Sequence, residues 1–100
     1  MSQEKYAYMQ RKIVKEIIGA TEGVLKNAID DCCVTYYKKR EEVSIKFDPS
    51  DFFPIFYIGN VGQDTFDKVV RHFLKVRETK VIRDDENAKV VVVKKWVGEK

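Results

Sequence analysis

"NVGQDTFDKVVRHFLKVRETKVIRDDENAKVVVVKKW", residues 60–96, is the stretch on which the fold turns. Phe66, Val69, Val70, Phe73 and Leu74 recur at intervals of three and four, the apolar face of an amphipathic helix over 64–77. Asp64 precedes that stripe and Asp67 follows three positions later, a capping box with Asp in place of Glu. The pattern then changes without a linker. Residues 79–83 read as a strand, "DDEN" at 84–87 as a turn, and 88–97 as a second strand. "VVVV" at 90–93 is apolar on both faces, which suits a strand with neighbours on both edges.

Upstream, Val43, Ile45 and Phe47 alternate with Ser44 and Lys46, a half-buried strand over 43–47. "DPSD" at 48–51 supplies helix-starting residues, so a short helix over 50–58 is expected, against the strand character of "FFPIFYI" and the missing N–H of Pro54. "IGNVGQ" at 58–63 is a turn with two glycines. Residues 3–41 read as helical. Tyr6, Met9, Ile13, Ile17, Ala20, Val24 and Ala28 form a stripe that Val14, Ile18, Leu25 and Cys32 widen. Gly19 and Gly23 each cost about 1 kcal/mol against Ala, yet the stripe keeps its phase, so one bent helix and two helices in near-register both fit. So wide a stripe asks for more covering surface than the rest of the chain offers. Tyr6, Ile13, Ile17, Val24, Ala28 and Cys32 are therefore candidates for a two-fold interface between copies of the chain.

At 100 residues the chain has the length of a single domain, and 44% apolar with 35% charged residues is a globular composition. A net charge of +3 names no partner, but the basic excess is local. Lys68, Arg71, Lys75, Arg77, Lys80 and Arg83 are opposed within their stretch by Glu78 alone. Cys32 and Cys33 are adjacent, a spacing that strains a disulfide, and read as reduced small hydrophobes. His72 is the single histidine and no Cys/His cluster exists, so neither metal nor cofactor is expected. No stretch has signal or membrane-spanning character, which gives an intracellular, cytoplasmic expectation. Scarce Asn and Gln beside plentiful Lys, Glu and Val point to a thermophilic source.

The order helix, strand, short helix, helix, strand, strand resembles the winged helix-turn-helix family. The residues that carry the resemblance are "IGNVGQDTFDKVVRHFLKVRETKVIRDDENAKVVVV", within a match over 43–96. It implies an α+β fold with a long N-terminal helical segment and a small three-stranded antiparallel sheet. Strand 43–47 would pair with 88–97, and 79–83 would lie on the other side of the latter. Helix 64–77 would read double-stranded DNA, and the chain would be a homodimeric transcriptional regulator of the kind common in prokaryotes and their viruses. Lys68, Arg71, His72 and Lys75 would face a major groove, with Gln63 and Thr65 near the helix start and Lys80 on the hairpin. The same face also reads as an ordinary solvated surface.

Other features carry less. "YYKKREE" at 36–42 reads as a helix C-terminus whose cations meet the negative dipole end. Phe52, Phe53, Phe56, Tyr57 and Trp96 read as core or interface. Acid–base catalysis needs paired groups in a concave site; Asp30–Asp31 and Asp84–Asp85 read as solvated face and turn, so no enzyme is expected. The acidic hairpin tip and small net charge favour a rival: a protein-interaction module that blocks or bridges a larger complex.

Overall fold

The computed structural model describes residues 3–28 and 30–95, so Trp96 and the end of the expected last strand lie outside the described residues. The elements are α1 (Gln3–Asn27), β1 (Cys32–Tyr37), β2 (Glu42–Lys46), β3 (Phe56–Ile58), α2 (Gln63–Val76), β4 (Thr79–Asp84) and β5 (Ala88–Val93). The strands form one five-stranded sheet in the order β3-β2-β1-β5-β4, antiparallel at every junction. The class is α+β with a long N-terminal helix, as the sequence implies, but the sheet has five strands rather than three.

Two elements account for the difference. The helical segment expected over 3–41 stops at Asn27, and "CCVTYY" forms the central strand. Asp30 and Asp31 mark the break, and the Asp31 carboxylate accepts the Lys95 N–H at 2.9 Å. A run of β-branched and aromatic residues buried on both faces suits a strand between two others better than a helix. The helix expected over 50–58 is also absent. Asp48 takes the Ser50 N–H (2.8 Å) and hydroxyl (2.7 Å), and Asp51 takes the Asp48 N–H (3.1 Å), so "DPSD" folds as a turn. Ile55 N–H then donates to Ile45 at 2.8 Å, and Phe56–Ile58 continues as an edge strand.

Pairing is corrected accordingly. Residues 43–46 pair with β1 and β3, not with β5; β5 takes β1 on one side and β4 on the other. The second half of that expectation, residues 79–83 beside the "VVVV" strand, is what the register gives.

The core lies between the two helices and one face of the sheet. Cys32, Val34 and Tyr36 of β1, Val43 and Ile45 of β2, and Val91 and Val93 of β5 meet Ile17 and Leu25 of α1 and Phe66, Val69 and Phe73 of α2. Tyr36 stacks on Phe66 with centroids 5.0 Å apart, and its hydroxyl donates to the Val61 carbonyl at 2.8 Å. At about 1.5 Å per residue, the 25-residue α1 outruns the six-residue strands it crosses. Its N-terminal end therefore leaves Tyr6, Tyr8 and Met9 exposed.

The stripe assigned to a second copy is largely spent inside the protomer. Ile17, Ala28 and Cys32 are buried, while Ile13 and Val24 pack against the core. Strand β1, missing from the sequence reading, supplies the covering surface. Tyr6 alone of the six is exposed at about half of its surface, 51%.

Arg77 joins three elements at the far end. Its Nε and Nη2 donate to the Glu22 carboxylate at 3.0 and 2.7 Å, and its Nη1 donates to the carbonyls of Lys94 and Lys95 at 3.1 and 2.7 Å. The cation counted in the local basic run is thus a structural clamp.

Candidate functional site

Helix α2 begins at Gln63 with Gly62 as a cap that offers no side chain, so the expected Asp64–Asp67 capping box does not form. Asp64 instead turns to α1. Its carboxylate accepts Gln10 Nε2 at 2.8 Å and the Tyr6 hydroxyl at 3.1 Å, besides the Thr65 N–H at 2.9 Å. This contact links the exposed end of α1 to the start of α2, beside the core that packs the two helices on the sheet. Lys68 is exposed and donates to Gln10 Oε1 across the same seam.

The residues expected to touch DNA separate into two groups. Lys68, Arg71 and Lys75, spaced three and four apart, are all exposed on the outer side of α2. Gln63 is exposed too, its amide donating to Asp67 at 3.3 Å. The neighbouring helix adds Arg11, Lys12 and Lys15, also exposed. Thr65, in contrast, is buried, and His72 is half-buried with its ring edge-on to Phe73 at 5.2 Å. Lys80 pairs in register with Val92, which faces away from the helices, so it lies on the opposite side of the sheet from α2. No helix lies immediately before α2: β3 and a loop stand where the first helix of a helix-turn-helix pair is expected.

The hairpin tip is acidic but neutralised locally. Asp84 pairs with Lys38 at 2.8 Å and Asp85 with Arg83 at 2.7 Å. The Arg83 contact, helped by the N–H groups of Ala88 and Asn87, holds the Asp85 carboxyl down at about 2.

A second surface is apolar. Between β2 and β3 the chain exposes Phe52 at 84% and Phe53 at 78%, their rings edge-on at 4.8 Å. Phe47, Ile55 and Tyr57 flank them, each about half exposed. The turn at Asp48 and the Ile55–Ile45 bond anchor the two ends of this segment. Beneath it, a groove of about 420 Å³ runs between Ala20 and Val24 of α1 and Phe47, Ile55 and Phe56. Phe52 and Phe53 are therefore surface residues, not core. Their signal in the sequence is the turn chemistry around them: a Phe pair set between "DPSD" and Pro54 cannot reach a core by either period. Among the described residues, no group of three His, Cys, Asp or Glu side chains is placed to hold a metal ion, and no helix is long and apolar enough to cross a membrane.

Comparison with known proteins gives no match to a protein family, a curated protein or a solved structure.

Proposed function

We propose that the chain is a protein-interaction module whose contact surface is the 47–57 segment. The observation that carries this reading is the exposure of Phe52 and Phe53 on a segment anchored at both ends. Scattered apolar residues are ordinary on a surface, whereas a contiguous aromatic patch is characteristic of a contact site. Burying each ring against a partner gains about 1.5–3 kcal/mol, a gain that the isolated chain forgoes. Aromatic side chains held by short turns also lose little conformational freedom on binding. A photo-crosslinking phenylalanine analogue at position 52, introduced in the cell of origin, tests the reading. The expected result is a discrete protein adduct that Phe53→Ser abolishes and Arg71→Ala leaves intact. Absence of any protein adduct at position 52 overturns it.

DNA binding is the second reading. Arg71 and Lys75 with Lys68 on α2, and Arg11, Lys12 and Lys15 on α1, favour it by presenting cations on one helical layer. Each phosphate contact steepens the salt dependence by about 0.9 in a log–log plot. Titration of a random-sequence duplex at two salt concentrations is therefore decisive. Binding that steepens with Lys68 and Lys75 present, and flattens by about 1 unit when either is Ala, supports it. No binding at low salt ends it.

A further inference from the structure

The sheet face turned away from the helices carries a cavity of about 600 Å³ at its α1–β1 end. That volume lies within the range of ligand sites, about 300–1,000 Å³. Phe47, Ile82 and Val92 form apolar walls, and Asp30, Asp31 and Asp48 stand on the rim. Two loops and two strands build it. The α1–β1 connection brings Asp30 and Asp31, the β2–β3 loop brings Asp48, and β4 and β5 bring Ile82 and Val92. The register shift between Val81 and Arg83 leaves Ile82 as the extra residue of β4, and it lines the cavity instead of continuing the ladder.

The charges around this cavity are unequal. Asp31 is partly neutralised by Lys94 at 3.3 Å and by the Lys95 N–H. Asp48 is held by neutral donors alone, the Ser50 N–H and hydroxyl, which keep its carboxyl below the usual range and hence ionised. Asp30 stands exposed. The cations nearby are engaged by other groups or lie at the edge: Lys94 is held by Asp31, and the Lys95 ammonium donates to the carbonyl of Ala28, a residue that lines the cavity. Lys46, 8% exposed and paired in register with Cys33, donates to the Tyr37 hydroxyl at 3.1 Å, and Lys80 belongs to the outer strand. Cys33, which lines the cavity, senses the balance. Burial pushes its thiol up to about 11, and Asp48, Asp31 and Asp51 push the same way against Lys46 alone. The walls are therefore apolar, and Asp30 and Asp48 line the cavity with no ion-pair partner among the described residues.

We propose that this cavity receives a single Lys or Arg side chain from a basic–apolar peptide segment of the partner. The assignment rests on the interaction reading above and names the partner's chemistry. An apolar wall that includes Phe47 accepts the methylene stem of such a side chain, and the rim carboxylates hold the charged head. A bare metal ion does not suit the site, because no group of three His, Cys, Asp or Glu side chains among the described residues is placed to hold one. A free amine would leave the exposed Phe52–Phe53 pair unused, whereas a segment anchored at Phe47 and Asp48 continues along the chain directly onto it.

The probe is an acetylated, amidated Gly-Leu-Lys-Leu-Gly peptide, with counterparts carrying norleucine or Glu in place of Lys, titrated into the isotope-labelled protein. The Lys peptide is expected to shift the amides of Asp30, Cys33, Phe47 and Val92 in a saturable way. The norleucine peptide should bind about tenfold more weakly and the Glu peptide not at all, because the rim attracts the cation and repels the carboxylate. Asp30→Asn, at an exposed position that folding does not need, should weaken the Lys peptide about threefold, and Asp48→Asn should do the same where its unbound spectrum stays native. Equal binding of the three peptides, shifts confined to α2, or no binding of the Lys peptide at millimolar concentration overturns the proposal. If the position-52 adduct forms while the Lys peptide fails, the cavity assignment falls and the interaction reading stands.

Discussion

Asp85 uses both carboxylate oxygens to close the β4–β5 hairpin: Oδ2 on Arg83, Oδ1 on the N–H groups of Asn87 and Ala88. Its carboxyl sits at about 2, below the ordinary value of about 3.9 for Asp. A carboxyl depressed by folding stabilises the native state fully above its unfolded pKa, and that contribution disappears as pH falls through the folded one. The window is therefore about pH 4 down to pH 2. Asp85→Asn should keep the turn, since the amide oxygen still accepts both N–H groups, but lose this part of the pH dependence. Thermal midpoints measured across the window should fall less steeply for the variant than for the unmodified chain. Asp48 and Asp84 are depressed as well, so the difference between the two curves, and not either curve alone, isolates Asp85. Two parallel curves would show that the Asp85 carboxylate is not engaged. Among the cysteines, burial first, then the neighbouring Cys33 and Asp31, raises Cys32 to about 12. Both thiols should resist iodoacetamide at pH 8 in the native protein and react after denaturation; rapid native alkylation, read by mass, would contradict their burial.

The long helix α1 crosses Gly19 and Gly23 without a break, and a Cβ built at either position meets nothing within 4 Å. Gly19→Ala and Gly23→Ala should therefore stabilise the fold by about 0.5–1 kcal/mol each, the helix propensity difference, read as a rise in denaturation midpoint at constant slope. A loss of stability at either would mean the helix is not continuous there. Glu22 lies between those glycines and is held by Arg77; Arg77→Met should cost about 2–3 kcal/mol, because it leaves the Glu22 carboxylate and the Lys94 and Lys95 carbonyls without their donor. Arg77→Lys should recover little, since one ammonium cannot replace four donor contacts to α1 and to the segment after β5 at once. These elements differ in how plainly the sequence shows them. Helix α2 and the β4–β5 hairpin were legible because each holds one period and the change between periods is abrupt at residues 77–79. Strand β1 was not, because Cys32 continues the α1 stripe four positions after Ala28 and hides the break at Asp30–Asp31. Strand β3 was half legible: "FFPIFYI" pulls toward strand, and Pro54 sets where pairing starts. Of the face expected at Lys68, Arg71, His72 and Lys75, the first two and the last are exposed and His72 is half-buried, while the burial of Thr65 and the opposite-side placement of Lys80 depend on tertiary contacts that no local pattern encodes.

At the scale of the whole molecule, β1 holds the sheet together. It has β2 on one edge and β5 on the other, while β3 and β4 form the outer edges. Amide exchange should accordingly be slowest in β1, where the residues at Val34 and Tyr36 are buried and paired on both sides, and fastest in β4 and β3. Exchange slowest in β5 would favour a smaller sheet with the "VVVV" strand at its centre. The same topology decides what Ile17 does. It lies at full burial beneath the sheet, in the cluster with Val34, Val91 and Phe73. Were it on a two-fold interface, Ile17→Asp would yield a folded, dissociated monomer. Inside the protomer it has no such escape. The lost apolar packing costs about 2–5 kcal/mol, and a buried unpaired carboxylate adds several more. Together these approach the entire stability of a domain this size, about 5–15 kcal/mol. Ile17→Asp should therefore abolish cooperative thermal unfolding at every protein concentration, whereas Tyr6→Asp, at the exposed end of α1, should leave the chain folded. Circular dichroism with sedimentation distinguishes the cases. A folded Ile17→Asp chain that sediments as a monomer would return that residue to an interface between copies.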